Sequence, residues 1–359
     1  MCVCHARSVP SSPIGADSPI RADSPRMAKV VKVLPPGWED WTMETSIPDL
    51  STTRIVVTGA NTGLGKATVQ ALLNNSNVEK IILACRNEER AKAAMREVTA
   101  EHNKSKSTTQ KAQDEISPRL DFLKLDLSDL DAVRASAADL AARYDRIDVC
   151  INNAGIFSRV DSRSKQGHEL TMAVCHLGHF VFNSHIFKLL KKSKSVTGRA
   201  ARIVSVASLG HEMTKGIDFD QWLTRKTDVG YCYADAKLAN VQYMFALKRR
   251  LESAGIADQV TITSLQPGYA RSELYDGLNR CLRPLALLMS TPPDTIAINP
   301  VRHAIDLEGI PSGTYTQCKR LKMYGPPVLT IPAKPALDEA AQERLWIETE
   351  KVVGEAFAL

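Results

Sequence analysis

No stretch of this 359-residue chain stays apolar over the roughly 18 residues that a membrane-crossing helix needs. The longest candidate, PLALLMS at 284–290, is far too short. Paired cysteine spacing is also missing: Cys2, Cys4, Cys85, Cys150, Cys175, Cys232, Cys281 and Cys318 are scattered, with no C-x-x-C among them. Neither a structural metal site nor a disulfide framework is expected, and a reducing intracellular compartment, the cytoplasm first, fits best. Aromatic residues make up only 6%, and 46 basic against 40 acidic residues are spread along the chain without a dense basic stripe. The net charge of +6 therefore does not suggest a nucleic-acid partner. Internal repeats are absent as well.

What remains is a globular composition, 44% hydrophobic and 24% charged, able to bury a normal core. Residues 1–36 stand apart, with six of the 18 prolines, several serines and no apolar periodicity. A disordered tail is expected over 1–45, followed by a single domain over 46–359 that ends in a helix. The tail lacks the apolar centre of a secretory signal. Its five basic against two acidic residues keep an organelle address as the alternative, and Met27 could be a second start.

From residue 54 strands and helices alternate. RIVVTG (54–59), IILAC (81–85), LDFLKLDL (120–127), IDVCINNAG (147–155), ARIVSVAS (201–208) and VTITSLQPG (260–268) read as buried strands. Between them, LGKATVQALLNN, NEERAKAAMREVTAEH and SDLDAVRASAADLAARY read as helices, the last opened by a Ser128 cap. Residues 103–118 are almost wholly polar and read as a surface insertion. The alternation predicts an α/β fold, one Rossmann-type doubly wound parallel sheet with helices on both faces, binding ligands at the carboxyl ends of its strands.

TGANTGLG (58–65) joins the first strand to the first helix. Its three glycines suit a tight turn, close backbone approach to a pyrophosphate and close helix–strand contact, and the helix amino end offers free N–H donors. Gly59, Asn61, Thr62, Gly63, Leu64 and Gly65 are thus candidate cofactor-binding residues. Where NAD-binding folds carry an acid after the second strand, this chain has Arg86, whose planar guanidinium suits a 2′-phosphate, with Lys66 adding positive charge. NADP(H) is preferred and NAD(H) is the alternative; Glu88 and Glu89 could partly neutralise the arginine.

YCYADAKLAN (231–240) holds two tyrosines, of which only Tyr233 shares a helix face with Lys237. A free phenol titrates near pH 10, and an adjacent ammonium stabilises the phenolate. His176, His179 and His185 lie close in sequence, but no Cys, Asp or Glu joins them at ligand spacing, so no metal is expected.

TGANTGLG, NNAG (152–155), YADAK (233–237) and PGYARS (267–272) together resemble the short-chain dehydrogenase/reductase family over about residues 47–354. IPDL, ACRNEERA, HLGHF, KLANV and ERLWIETEKVVG look like its retinol dehydrogenase-like branch. The resemblance implies hydride exchange between a nicotinamide cofactor and a small-molecule carbonyl or alcohol. It implies Tyr233 as acid–base, Lys237 as its partner at the nicotinamide ribose, and Ser208 as donor to the substrate oxygen. Asn153 and Gly155 would line the cofactor cleft, Asp126 would lie near the adenine, and Pro267, Gly268 and Ser272 would face the nicotinamide, with serine where the family more often has threonine. One departure stands out: Cys175 occupies the place of an asparagine that normally completes a tetrad. A thiol is a poor substitute for an amide. Retained activity with a weaker proton relay is expected; a non-catalytic NADP-binding redox sensor is the alternative. A nucleotide-sugar epimerase or dehydratase is disfavoured by the G-x-x-x-G-x-G spacing. Residues 269–296 are expected to arch over an apolar substrate (retinoid-like, lipid-derived or xenobiotic) or to pack against a neighbouring helix or an oligomer partner.

Overall fold

β1 (Arg54–Thr58) shows why the sheet forms. Val56 faces one hydrophobic cluster while Ile55 and Val57 face another, so a continuous β-branched run is buried on both sides. The structure is a computed structural model that describes residues 38, 41–43, 46–105, 115–158, 161–226, 229–268 and 291–359. Residues Pro35–Leu359 form one compact unit. Beside β1 lie β2 (Lys80–Cys85), β3 (Leu120–Lys124), β4 (Val149–Asn152), β5 (Ala201–Val206), β6 (Val260–Leu265), β7 (Tyr315–Arg320) and β8 (Tyr324–Leu329). The strand order is β3-β2-β1-β4-β5-β6-β7-β8. All pairs are parallel except β7–β8.

One face is covered by α1 (Gly63–Asn75), α2 (Glu88–Ser105) and the helix Ile298–Ile305. The other is covered by α3 (Leu130–Arg143) and the helices Gly178–Thr197, Val229–Ser253 and Glu339–Val353. The order reverses between β1 and β4, and that crevice, at the strands' carboxyl ends, is where an open α/β sheet takes its ligand.

The expected doubly wound sheet is present, with three local corrections. β7 and β8 were not foreseen, because YTQCKR and YGPPVL lack apolar alternation and two prolines interrupt the second; β8 is an edge strand, where proline is tolerated. The cap of α3 is Asp129, whose carboxylate accepts from the Asp131 N–H at 3.1 Å, while the expected cap Ser128 instead donates to Asp126 Oδ1 at 2.5 Å. The expected tail boundary at residue 45 is too late: Trp38 is buried, donates from Nε1 to the Pro327 carbonyl at 3.1 Å, and lies 3.8 Å from the Arg302 guanidinium, which also faces Trp41. A large amphipathic ring within reach of a buried arginine overrides the polar, proline-rich character of its neighbours. Among the described residues no helix is long and apolar enough to cross a membrane.

Candidate active site

The glycine turn after β1 is built by close approach. Gly59 and Gly63 adopt φ of +63° and +53°, a region that disfavours side chains. A Cβ on Gly65 would stand 2.5 Å from Asn153 Nδ2 and 2.6 Å from the Gly59 carbonyl oxygen. Asn153 itself donates from Nδ2 to the Thr58 carbonyl at 2.8 Å. Thr58 Oγ1 accepts from the N–H groups of Asn153 and Ala154 at 3.0 and 2.9 Å. The strand end carrying Asn153 and Gly155 is thereby tied to the turn carrying Asn61, Thr62 and Leu64. The amino end of α1 has no acidic residue in its first turn, so its N–H groups and positive dipole stay available to an anion. Beneath the turn the Cys85 thiol receives hydrogen bonds from the Ala60 and Asn61 backbone, yet burial pushes it up to about 11. A positive-φ glycine turn packed this closely on a helix amino end fits a dinucleotide pyrophosphate.

Arg86 is exposed immediately after β2. Lys66 is paired with Glu97, so part of its charge is already neutralised. Lys66 borders a cleft of about 440 Å³ between α1 and α2, together with Thr62, Arg90 and Asp294, whereas Arg86 does not line it. Asp126, after β3, is occupied by the Ser128 N–H and hydroxyl.

A second group converges across the crevice. Lys237, in the helix Val229–Ser253, is only 3% exposed, and its Nζ donates to the Val206 carbonyl at 3.0 Å. That Nζ lies 5.7 Å from the centre of the Tyr233 ring. Tyr231 points outward, 51% exposed, whereas Tyr233 is half-buried with Phe157 edge-on at 5.4 Å. Ser208 follows β5, and its hydroxyl oxygen accepts from the Gly210 N–H at 3.2 Å. A Cβ on Gly210 would stand 3.2 Å from two Tyr233 ring carbons and 3.7 Å from Ser208 Oγ, so the bare Gly210 lets the Tyr233 ring and the serine hydroxyl pack at one place. Asn240, which sequence reasoning passed over, also donates to the Val206 carbonyl, at 3.2 Å.

Cys175 reaches the same place. A Cβ on Gly155 would stand 3.2 Å from Lys237 Nζ and 3.4 Å from Cys175 Sγ, so the missing side chain of Gly155 leaves room for both. The thiol points to the Ile156 carbonyl at 3.8 Å. Burial pushes it up, and the Lys237 charge pulls the other way. Cys175 lies in the π-helical turn Ala173–Leu177, a widened turn frequent at functional positions. Its carbonyl meets His179 Nδ1 at 3.1 Å, and His179 Nε2 meets Thr58 Oγ1 at 2.9 Å. The three histidines do not converge: His176 pairs with Thr349 and His185 with Glu355. No group of three or more Cys, His, Asp or Glu suited to a metal occurs among the described residues.

After β6, the Pro267 carbonyl accepts from Asn299 Nδ2 at 2.9 Å. Gly268, at φ +104°, leaves no space for a side chain, since a Cβ would meet the Met323 carbonyl oxygen at 2.7 Å and Cys318 Sγ at 2.8 Å. Ser272 and the stretch expected to cover the substrate fall largely in 269–290, outside the described residues. Sequence reasoning also missed Phe157, Gly210 and His211, whose roles come from contacts between distant segments.

Fold and site together define a dinucleotide-binding α/β protein of the oxidoreductase class. A family model described as short chain dehydrogenase matches residues 53–281. Retinol dehydrogenase 13 of Homo sapiens is 32% identical over 312 residues, covering 84% of each chain, and retinol dehydrogenase 14 of Mus musculus is 31% identical over 309 residues, covering 84% of this chain and 85% of its own. A solved structure of an uncharacterised protein from Mycobacterium Paratuberculosis superposes with a TM-score of 0.68 at 24% identity, covering 89% of this chain and 99% of its own. The chain belongs to the short-chain dehydrogenase/reductase family, in its retinol dehydrogenase-like branch. It is accordingly an oxidoreductase that works with a nicotinamide cofactor on small-molecule carbonyls or alcohols.

Proposed function

We propose that this chain is an NADP(H)-dependent enzyme that interconverts a carbonyl and an alcohol on an apolar small molecule, with Tyr233 as the acid–base residue. The observation that carries this reading is the meeting of Tyr233 and Ser208 at Gly210, with the buried Lys237 ammonium 5.7 Å from the centre of the tyrosine ring. When bound, the nicotinamide supplies or takes up the hydride. Gly59, Asn61, Thr62, Gly63, Leu64 and Gly65 would hold the pyrophosphate, and Arg86 the 2′-phosphate. Asp126 would border the adenine, Asn153 and Gly155 the cleft floor, and Pro267, Gly268 and Ser272 the nicotinamide end.

In reduction, Tyr233 gives its phenolic proton to the substrate oxygen; in oxidation it takes that proton back. Lys237 stabilises negative charge on the phenol oxygen through a site with little water. Ser208 accepts the Gly210 N–H, which leaves its own hydroxyl proton free to donate to the substrate oxygen. Phe157, edge-on to the Tyr233 ring, puts an apolar surface beside the phenol, which favours a retinoid-like, lipid-derived or xenobiotic carbonyl.

The test is a carbonyl and alcohol panel run with NADPH and NADH on wild type, Tyr233→Phe and Arg86→Ala. Tyr233→Phe keeps the ring against Phe157 and removes the proton, so turnover should fall by about 10²- to 10⁴-fold. Arg86→Ala should weaken NADPH far more than NADH. Equal turnover in Tyr233→Phe would overturn the mechanism. A second reading, a redox sensor that binds NADP without turnover, is favoured by one observation, the Cys175 thiol where an amide would be expected beside Lys237. Tight NADPH binding with no turnover across the panel would support it instead.

A further inference from the structure

We propose that His211 is a positioning residue that holds Ser208 in its donating geometry and couples it to the segment leading into the C-terminal helix; this rests on the proposed role of Ser208. His211 is fully buried. Its Nδ1 lies 2.7 Å from the Ser208 carbonyl oxygen, which can only accept, so Nδ1 carries the proton. Its Nε2 receives the Ala333 N–H at 3.2 Å, so Nε2 is bare. Both ring nitrogens are thus committed in one neutral tautomer. The His211 N–H also reaches the Ser208 carbonyl, at 3.1 Å, so that carbonyl is pinned by two donors from the same residue.

Ser208 is the extended residue at which the chain leaves β5 and turns into Leu209–Glu212. Its hydroxyl accepts the Gly210 N–H, and rotating the Ser208–Leu209 peptide would carry away that N–H, the donor that fixes the hydroxyl. The imidazole, by holding the carbonyl, opposes that rotation. Tyr315 packs edge-on against the ring at 5.3 Å, and Glu212 and Lys322, themselves paired, are the charges that act on it. Ala333 precedes Lys334–Leu337 and the helix Glu339–Val353, so the far end of the chain is tied by one side chain to the proposed substrate donor.

Two substitutions separate the two hydrogen bonds. His211→Asn can place an amide N–H near the Nδ1 position, keeping the Ser208 bond and losing Ala333. His211→Gln can place an oxygen near the Nε2 position, keeping Ala333 and losing Ser208. With turnover followed as NADPH oxidation on all-trans-retinal and on nonanal, kcat for His211→Gln should fall by about 10- to 100-fold while His211→Asn stays within about threefold of wild type. NADPH affinity should be unchanged in both. Equal losses in the two variants, or losses confined to NADPH affinity, would show a merely structural residue and overturn the proposal. Ring-¹⁵N spectra of the full chain decide the hydrogen-bond assignment without turnover, with the His211 signals identified by their loss in His211→Asn. A protonated Nδ1 and a bare Nε2 between pH 6 and 8 are expected, and the opposite tautomer or an imidazolium overturns the proposal. Tyr233→Phe is run alongside: full activity there sinks the acid–base reading itself, whereas a dead Tyr233→Phe with a fully active His211→Gln sinks only the role of His211.

Discussion

Replacing Gly65 by alanine sets two effects of opposite sign against each other. Gly65 is the third residue of α1, where alanine gains about 1 kcal/mol of helix propensity over glycine. Against this, the new methyl would sit 2.6 Å from the Gly59 carbonyl oxygen and 2.5 Å from Asn153 Nδ2. Both are about 0.8 Å inside ordinary contact, and relieving such overpacking costs about 1–3 kcal/mol. The Gly59 contact is backbone, and Asn153 is anchored to the Thr58 carbonyl, so neither neighbour yields by a simple rotamer change. The net effect should be a destabilisation of roughly 0–2 kcal/mol, a loss of a few degrees in Tm. The larger consequence is functional: α1 moves off the turn that would cradle the pyrophosphate, so NADPH affinity should fall at least about tenfold, or about 1.4 kcal/mol. Titration of NADPH fluorescence, with a thermal melt of the same sample, measures both. A Gly65→Ala protein that melts higher and binds NADPH as wild type does would refute the close-approach argument, because only the propensity gain would then be left.

Trp38→Ala should destabilise the protein by about 3 kcal/mol or more, as buried tryptophans do on truncation, and an unchanged urea midpoint would contradict the packing of Trp38 on Arg302. Burial lowers His179 to about 4 and His176 to about 3, so the unfolded chain takes up these protons first. Stability should therefore be intact above about pH 6.5 and fall by about 1.4 kcal/mol per pH unit per histidine as pH drops toward those values. Urea midpoints that do not fall between pH 7 and 5 would contradict this. Cys175→Asn should raise kcat with little change in KM, since an amide beside Lys237 can donate and accept where a buried thiol does both weakly; steady-state kinetics without any gain on an accepted substrate would remove the weak-relay argument.

Much of the fold was legible because its strands are short, continuous apolar runs closed by glycine or a polar cap. Each of the six foreseen strands is present, although most end earlier than the apolar run suggests. LDFLKLDL stops as a strand at Lys124, because Asp126 turns to accept from Ser128. The β7–β8 pair escaped because its strands owe their place to pairing with β6 and with each other rather than to their own residues. Of the candidate site, Tyr233, Lys237, Ser208, Asn153 and the glycine turn lie around the crevice, and Tyr231 is turned outward. Gly210 and His211 carried no signal, since one matters for the atom it lacks and the other for a carbonyl and an amide far apart in the chain.

The residues alone determined the order of elements, the glycine turn and which tyrosine shares a face with Lys237, because periodicity and i, i+4 spacing are local properties of the chain. Only the tertiary structure decided that Lys237 and Cys175 both pack against Gly155, that Trp38 belongs to the packed body, and that His211 reaches from Ser208 to Ala333. Those facts depend on distances between segments up to hundreds of residues apart, which close packing sets and no local pattern encodes.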